Sequence, residues 1–305
     1  MSVLYQSDPV RGRVWARIFA DSAPEIAFHI WPQTGELSAV EYLVAWDPPP
    51  GLIATLPNLK VIFSSGAGVD HLDLSNIPAH LPVVRMIEPG IINGMMEYVT
   101  MAVLAVHRNL IDYIRSEAWQ PIRVVPASAR RVGVMGLGVL GQAVLQRLAP
   151  VGYCLYGWNR SSKSIPDVTC FEGMQSLPSF LGNCDILVCL LPLTKATRGI
   201  LNRETLAALP RGASLINVGR GACVDESALL EAMDSGQLST AILDVFETEP
   251  LPTSHPFWRH PRIVVTPHVG ADTQPETAAP IVLDNIRRHQ RGEALHGVVD
   301  RSRGY

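Results

Sequence analysis

From about residue 25 to 90 the chain alternates between short apolar runs and turn residues. EIAFHIWP, VEYLVAW, LKVIFSSG and PVVRMI recur between breaks such as DPPPG. With VLYQS at the start, these β-branched and aromatic runs predict a small α/β layer of roughly five strands. EPGIINGMMEYVTMAVLAVHRNL follows, helical in length and apolar on most faces, as suits a helix wedged between two domains.

After the loop QPIRVVPASAR a second alternation begins. RVGVMG, YCLYGWN, DILVCLL, SLINVG, TAILDVF and RIVVTPH read as strands. LGQAVLQRLAPVG, SLPSFLGN, NRETLAALP and DESALLEAMDSGQ read as the helices between them. Strands alternating with helices predict parallel pairing through right-handed crossovers, hence a doubly wound sheet. The last helical pattern, ETAAPIVLDNIRRHQRGE, could pack back on the first layer. The predicted fold class is therefore α/β. A doubly wound Rossmann-type nucleotide domain (residues 93–273) is inserted in a smaller, flavodoxin-like α/β substrate domain (residues 1–92 with 274–305).

Composition narrows the classes. A chain of 305 residues with 47% hydrophobic and 17% charged residues suits folded domains rather than disorder. The net charge is −3 and the basic residues are scattered, so no nucleic-acid partner is expected. The N-terminus shows no secretory pattern, and apolar runs such as ILVCLLPL are too short to span a bilayer. Cys154, Cys170, Cys184, Cys189 and Cys223 form no CxxC pair, and reduced core thiols in a cytoplasmic protein are expected. No HExxH occurs, so no metal is expected.

Residues 136–141 read GLGVLG, after the strand RVGVM and at the start of a helix, which is the setting that makes G-x-G-x-x-G informative. Gly136 permits a tight turn, Gly138 lets backbone approach a pyrophosphate, and Gly141 allows helix and strand to pack closely. Val139 and Leu140 sit where the helix N-terminus offers amides to an anion. A dinucleotide domain usually ends its second strand with an acid that accepts from the adenosine ribose. Here that strand ends in Asn159, Arg160, Ser161, Ser162 and Lys163. Cation and hydroxyls in place of the acid predict a 2′-phosphate pocket, so NADPH is favoured over NADH.

Three further predicted strand ends carry reactive groups: Arg220 in NVGRGACVDE, Asp244 with Glu249 in LDVFETEP, and His268 in VVTPHVG. Reduction of a 2-oxo acid needs a cation for the carboxylate and ketone, a proton donor, and an anion to hold that donor charged. Arg220, His268 and Glu249 fill these roles. Taken singly, each could instead be a salt bridge, a packed imidazole or a solvated acid. Glu97 reads as a helix-entry or hinge residue, and His255 and His260 as loop-packing residues.

GLGVLG, LLPLTKATRGIL, NVGRGACVDESAL, LDVFETEPLP and TPHVG, in that order, resemble the motifs of the D-isomer-specific 2-hydroxyacid dehydrogenases. SSGAGVDHLDL resembles that family's substrate loop. VAWDPPP, HPFWRHPRIVVTPHV and the C-terminal GVVDRSRGY are similar to its bacterial glyoxylate/hydroxypyruvate reductase branch. The resemblance implies NADPH-dependent reduction of a small 2-oxo acid by a homodimer, with the active site between its domains. It implies that the amides of Ala67 and Gly68 bind substrate carboxylate with Arg220, and that Trp46 covers the substrate or packs under DPPPG. It also implies that Asp244 orients the nicotinamide, and that Leu191, Pro192, Val218, Gly219 and Gly270 border the cofactor. Two alternatives stay open: a reductase for a bulkier 2-oxo acid such as phenylpyruvate, and a non-catalytic sensor of NAD(P)H.

Overall fold

The computed structural model describes residues 1–304; Tyr305, the last residue of GVVDRSRGY, lies outside the described residues. The chain forms two compact units, one of Met1–Ile91 with the segment from Asp272 onward, the other of Ile92–Ala271.

In the first unit the apolar runs become β1 (Ser2–Gln6), β2 (Ala27–Ile30), β3 (Val40–Ala45), β4 (Val61–Ser64) and β5 (Val83–Val84). All pair in parallel in the order β2-β1-β3-β4-β5, the flavodoxin-like arrangement. Leu4, Leu43, Ile62, Val69 and Leu72 are buried on this sheet. Between β1 and β2 lies α1 (Pro9–Ser22), an element the apolar pattern does not announce. Its buried stripe is only Gly12, Trp15 and Phe19, diluted by Arg11, Arg13 and Arg17. The start is set by Asp8, whose side chain accepts from the Val10 and Arg11 amides, and by Pro9 in the first turn. Trp15 and Phe19 then pack on Tyr5 and Phe28.

The helix Pro275–Gln290 belongs to the same unit: Arg287 donates to Ser22 O, and His289 Nδ1 lies 3.1 Å from the Tyr42 hydroxyl. Beyond it the Arg301 guanidinium donates to the carbonyls of Leu74, Ile77, Pro78 and Leu81. Glu88, fully buried, accepts from the Ile91 amide at 2.7 Å and the Thr277 hydroxyl at 2.5 Å. It is the helix-entry carboxylate of α2 (Pro89–His107); the expectation that Glu97 had that role fails, because Glu97 is exposed in mid-helix.

By length and apolarity α2 could span a bilayer. Met95, Val99, Ala102 and Val103 instead lie buried in a core of the second unit, while Met101 and Leu104 are exposed. Past the short α3 (Leu110–Ile114) come β6 (Arg131–Met135), α4 (Val139–Leu148), β7 (Cys154–Asn159), β8 (Val168–Glu172) and α5 (Leu177–Leu181). Then follow β9 (Ile186–Cys189), α6 (Arg203–Ala207), β10 (Ala213–Asn217), α7 (Glu226–Asp234), β11 (Leu238–Leu243) and β12 (Ile263–Val265). The seven-stranded parallel sheet runs β12-β11-β10-β9-β6-β7-β8, the Rossmann order with one strand added at the β12 edge. Strands β9 and β10 are buried throughout, which a sheet covered on both faces requires. The strand β8 goes beyond the six expected here; VTCFE, an edge strand that is nowhere fully buried and does not alternate, carries a weak signal. Cys184, Cys189 and Cys223 are buried thiols as expected, but Cys154 is exposed and Cys170 half-buried near that edge.

Candidate active site

The switch in strand order falls between β6 and β9, where parallel sheets open a crevice at the strands' carboxyl ends. GLGVLG lies there. Gly136 has φ +98°, and a Cβ on it would meet Leu190 O at 2.8 Å. A Cβ on Gly141 would stand 1.9 Å from Gly136 O, so helix and turn touch through backbone. By contrast, a Cβ on Gly138 would meet nothing within 4 Å. Gly138 caps α4 without a side-chain hydrogen bond, which leaves the amides of the first turn, Val139 to Gly141, for an anion. The backbone of Gly219 packs on Leu191, whose carbonyl a Cβ there would meet at 2.7 Å. Gly136, Leu191, Pro192, Val218 and Gly219 thus form one continuous wall. These residues fit a dinucleotide.

At the end of β7, Asn159 Oδ1 accepts from the Leu137 amide at 3.3 Å, and its Nδ2 donates to Ser161 O and Oγ. The asparagine ties the glycine turn to the basic turn, and Arg160 and Ser161 are exposed beyond it. The strand register also sets Glu172 opposite Asn159, a carboxylate that sequence separation conceals.

Strands β10, β11 and β12 are neighbours, so the loops bearing Arg220, Glu249 and His268 leave the same edge side by side. Asn217, buried at the end of β10, accepts from the Gly219 amide and donates to Arg220 O, shaping the loop that presents Arg220. Asp225 caps α7 through the Ser227 and Ala228 amides, as its position before that helix suggests. Glu249 Oε1 accepts from the Phe246 amide at 2.9 Å, and its Oε2 lies 2.7 Å from His268 Nδ1. A carboxylate only accepts, so Nδ1 carries the hydrogen and Nε2 is left for another partner. Burial alone would raise the Glu249 carboxyl. Hydrogen bonds from His268 and Phe246, with the charges of His268 and Arg220, outweigh it and hold the group below 4.5. An imidazole held at one nitrogen, beside a guanidinium, can pass a proton to a carbonyl oxygen.

His268 has φ +54°, a left-handed conformation that is costly for a non-glycine residue. Its own amide donates to Asp244 O at 2.8 Å. The buried Asp244 side chain accepts from the amides of Val269 at 2.9 Å and Gly270 at 2.7 Å, and from the Thr266 hydroxyl at 2.6 Å. Thr266 and Tyr98, which stands 2.5 Å from it, are missed by sequence reading; nothing in VTP or MEYVT announces them. His255 pairs with Glu226 at 3.2 Å and His260 with Asp234 at 3.5 Å.

In the first unit Ser64 Oγ lies within 2.9 Å of the carbonyls of Gly66 and Gly68. The Thr273 hydroxyl holds Ser65 O at 2.6 Å. With the loop's carbonyls drawn onto Ser64 and Thr273, the amides of Ala67 and Gly68 make no protein hydrogen bond among the described residues. Trp46 is 36% exposed and stacks on His71, ring centroids 3.7 Å apart, with one edge over Gly66. His71 is a further residue that sequence reading does not single out. Among the described residues no group of three or more His, Cys, Asp or Glu side chains could hold a metal ion.

Residues 99–270 match the model of the D-isomer specific 2-hydroxyacid dehydrogenase, NAD binding domain. The whole chain is 36% identical to the whole of a glyoxylate/hydroxypyruvate reductase A from Yersinia enterocolitica. A D-isomer specific 2-hydroxyacid dehydrogenase from Xanthobacter autotrophicus, solved with NADPH and MES, is 40% identical with a TM-score of 0.96. That match covers 100% of this chain and 99% of the other. An NADPH-dependent glyoxylate/hydroxypyruvate reductase from Sinorhizobium meliloti, solved with NADP and sulfate, is 37% identical with a TM-score of 0.93. There too the coverage is 100% and 99%.

Proposed function

Because the chain belongs to the D-isomer specific 2-hydroxyacid dehydrogenase family, we propose that it reduces glyoxylate and hydroxypyruvate to glycolate and glycerate with NADPH. It is an oxidoreductase of that family, and its small 2-oxo acid substrate class follows. The observation that carries the reading is the Glu249–His268 pair at 2.7 Å, on strand ends adjacent to Arg220 and in the same sheet as the glycine turn.

Bound at that turn, NADPH would supply the hydride. In the second unit Arg220 is the donor for the substrate carboxylate; the family resemblance gives the amides of Ala67 and Gly68 and the ring of Trp46 as the first unit's substrate groups. His268 Nε2 gives its proton to the ketone oxygen, while Glu249 fixes ring orientation and stabilises the imidazolium. Arg160 and Ser161 bind the 2′-phosphate, with Asn159 aligning their turn. Asp244 retains one acceptor position for the nicotinamide amide.

Exposed apolar residues recur from Met101 to Val124 in the second unit, with Ile114 70% exposed and Trp119 100% exposed. That surface supports a homodimer through a second copy of the chain. Sedimentation of Ile114→Asp is expected to show monomer where the native chain sediments as dimer. Five free thiols support a reducing, cytoplasmic setting.

Side-by-side titrations of NADPH and NADH with glyoxylate and hydroxypyruvate test the assignment. Turnover of both acids with a clear NADPH preference is expected. Turnover of phenylpyruvate alone moves the substrate to the bulkier class. No cofactor oxidation across a panel of 2-oxo acids supports a sensor.

A further inference from the structure

The turn Pro267–Gly270 must hold a strained histidine in register with Glu249. Its backbone converges on one side chain, Asp244, which in turn rests on two hydroxyls. The directions of these bonds follow from valence. Asp244 accepts from Thr266 Oγ1 at 2.6 Å, and a threonine hydroxyl has one hydrogen to give. The contact between Thr266 Oγ1 and Tyr98 Oη at 2.5 Å therefore has Tyr98 as donor. Tyr98 must remain a phenol to serve, and burial pushes its hydroxyl up to about 12.

Three of about four acceptor positions on the Asp244 carboxylate are then filled by Thr266, Val269 and Gly270. A carboxylate needed only for a ligand would not be so occupied. Gly270 fits the same account, since a Cβ there would stand 2.8 Å from Asp244 Oδ2. The chain of bonds runs from helix α2 to the residue after β12, joining two elements far apart in sequence.

We propose that Tyr98 and Thr266 are positioning residues for the reaction assigned above: through Asp244 they hold the left-handed turn that aims the His268 imidazole. Tyr98 orients the Thr266 hydroxyl, and Thr266 fixes the Asp244 rotamer. Asp244 then clamps the amides of Val269 and Gly270, directly after His268, and the strain at His268 is sustained by those bonds. Neither residue touches the reacting atoms. The inference rests on the proposed reductase activity, and its test includes a reading that does not.

Thr266→Val keeps shape and removes the hydroxyl; Thr266→Ser restores it; Tyr98→Phe removes only the terminal donor. Misplacing a catalytic group by about 1 Å costs about a hundredfold in rate, so a smaller shift costs about ten- to a hundredfold. Thr266→Val is therefore expected to lower kcat by that much, with KM for glyoxylate within about twofold of native. Tyr98→Phe is expected to lower kcat about three- to tenfold, and Thr266→Ser to restore most of it. In the same proteins, without substrate, amide hydrogen exchange at Val269 and Gly270 should accelerate in Thr266→Val and recover in Thr266→Ser. Native exchange at both amides in Thr266→Val overturns the proposal, whatever the activity. So does native kcat in Thr266→Val when the unmutated enzyme is active. If the unmutated chain reduces no 2-oxo acid, the functional assignment fails, and the exchange result alone decides the clamp.

Discussion

Replacing Glu249 with glutamine tests the proton-donor assignment most directly, because it preserves volume and alters one charge. Two donors converge on the native carboxylate: the Phe246 amide on Oε1 and His268 Nδ1 on Oε2. A glutamine amide has one oxygen for both. If the oxygen keeps Phe246, the NH₂ group faces Nδ1–H; if it turns to His268, the NH₂ group faces the Phe246 N–H. With the imidazolium, which carries a hydrogen on both ring nitrogens, either way one donor confronts another, at about 1 kcal/mol. The lost charge adds to this. Unit charges about 3 Å apart interact by about 1.5–3 kcal/mol at an effective dielectric constant of about 40–80. The lower end applies here, since the two side chains are 34% and 35% exposed. Together the two effects come to about 2–3 kcal/mol, or about thirty- to a hundred-and-sixtyfold in kcat. The assay pairs steady-state NADPH oxidation on glyoxylate with a fluorescence titration of NADPH. Turnover should fall by that factor while NADPH affinity stays within about twofold. A kcat within about threefold of native, or an equal loss of NADPH affinity, would refute the reasoning.

Other outcomes follow from single contacts. Arg160→Asp replaces a cation with an anion where the 2′-phosphate is proposed to lie. It should weaken NADPH about a hundredfold and leave NADH within about threefold, and equal effects in parallel titrations would sink the pocket. Gly141→Ala places a Cβ 1.9 Å from Gly136 O with only backbone to yield. It should abolish NADPH binding and lower the urea midpoint, and native affinity by calorimetry would contradict the close approach. Asp185 accepts from the Arg131 amide at 2.9 Å and its guanidinium at 2.6 Å. Burial raises the Asp185 carboxyl, but the bonds from Arg131 prevail and hold it below 3.8. A carboxylate with a lowered folded-state pKa stabilises above its unfolded value and loses that contribution as pH falls through the folded one. The gap in urea midpoint between the native chain and Asp185→Asn should therefore be full near neutrality and close below about pH 4. A gap that widens in acid would contradict the sign.

Local chemistry made much of this molecule readable. The glycines of GLGVLG occupy the positions their lack of a Cβ predicts, and Asp225 caps the helix it precedes. Arg220, Glu249 and His268 were legible because each ends an apolar run, and parallel pairing of β10, β11 and β12 brings their loops together. Tyr98, Thr266 and Asn217 were not, because a buried hydroxyl or amide acquires its role from a partner distant in sequence. Tyr98 and Thr266 are 168 positions apart. Helix α1 escaped because its stability comes from Trp15 and Phe19 meeting Tyr5 and Phe28, rather than from a broad apolar stripe. Glu172 was concealed by register, which is a property of strand pairs and not of either strand.

The two units also differ in when they can be completed. Residues 92–271 are contiguous, so every strand of the seven-stranded sheet has been synthesised before Asp272 is added. The five-stranded unit waits. Thr273 meets Ser65 across 208 positions, and Arg301 meets Leu81 across 220. Until those residues emerge, the loop of Ala67 and Gly68 lacks one of its fastenings. Termination just after Ala271 would thus leave a nucleotide-type unit whose strand ends bearing Arg220, Glu249 and His268 are whole, joined to an open-ended partner exposed to proteases.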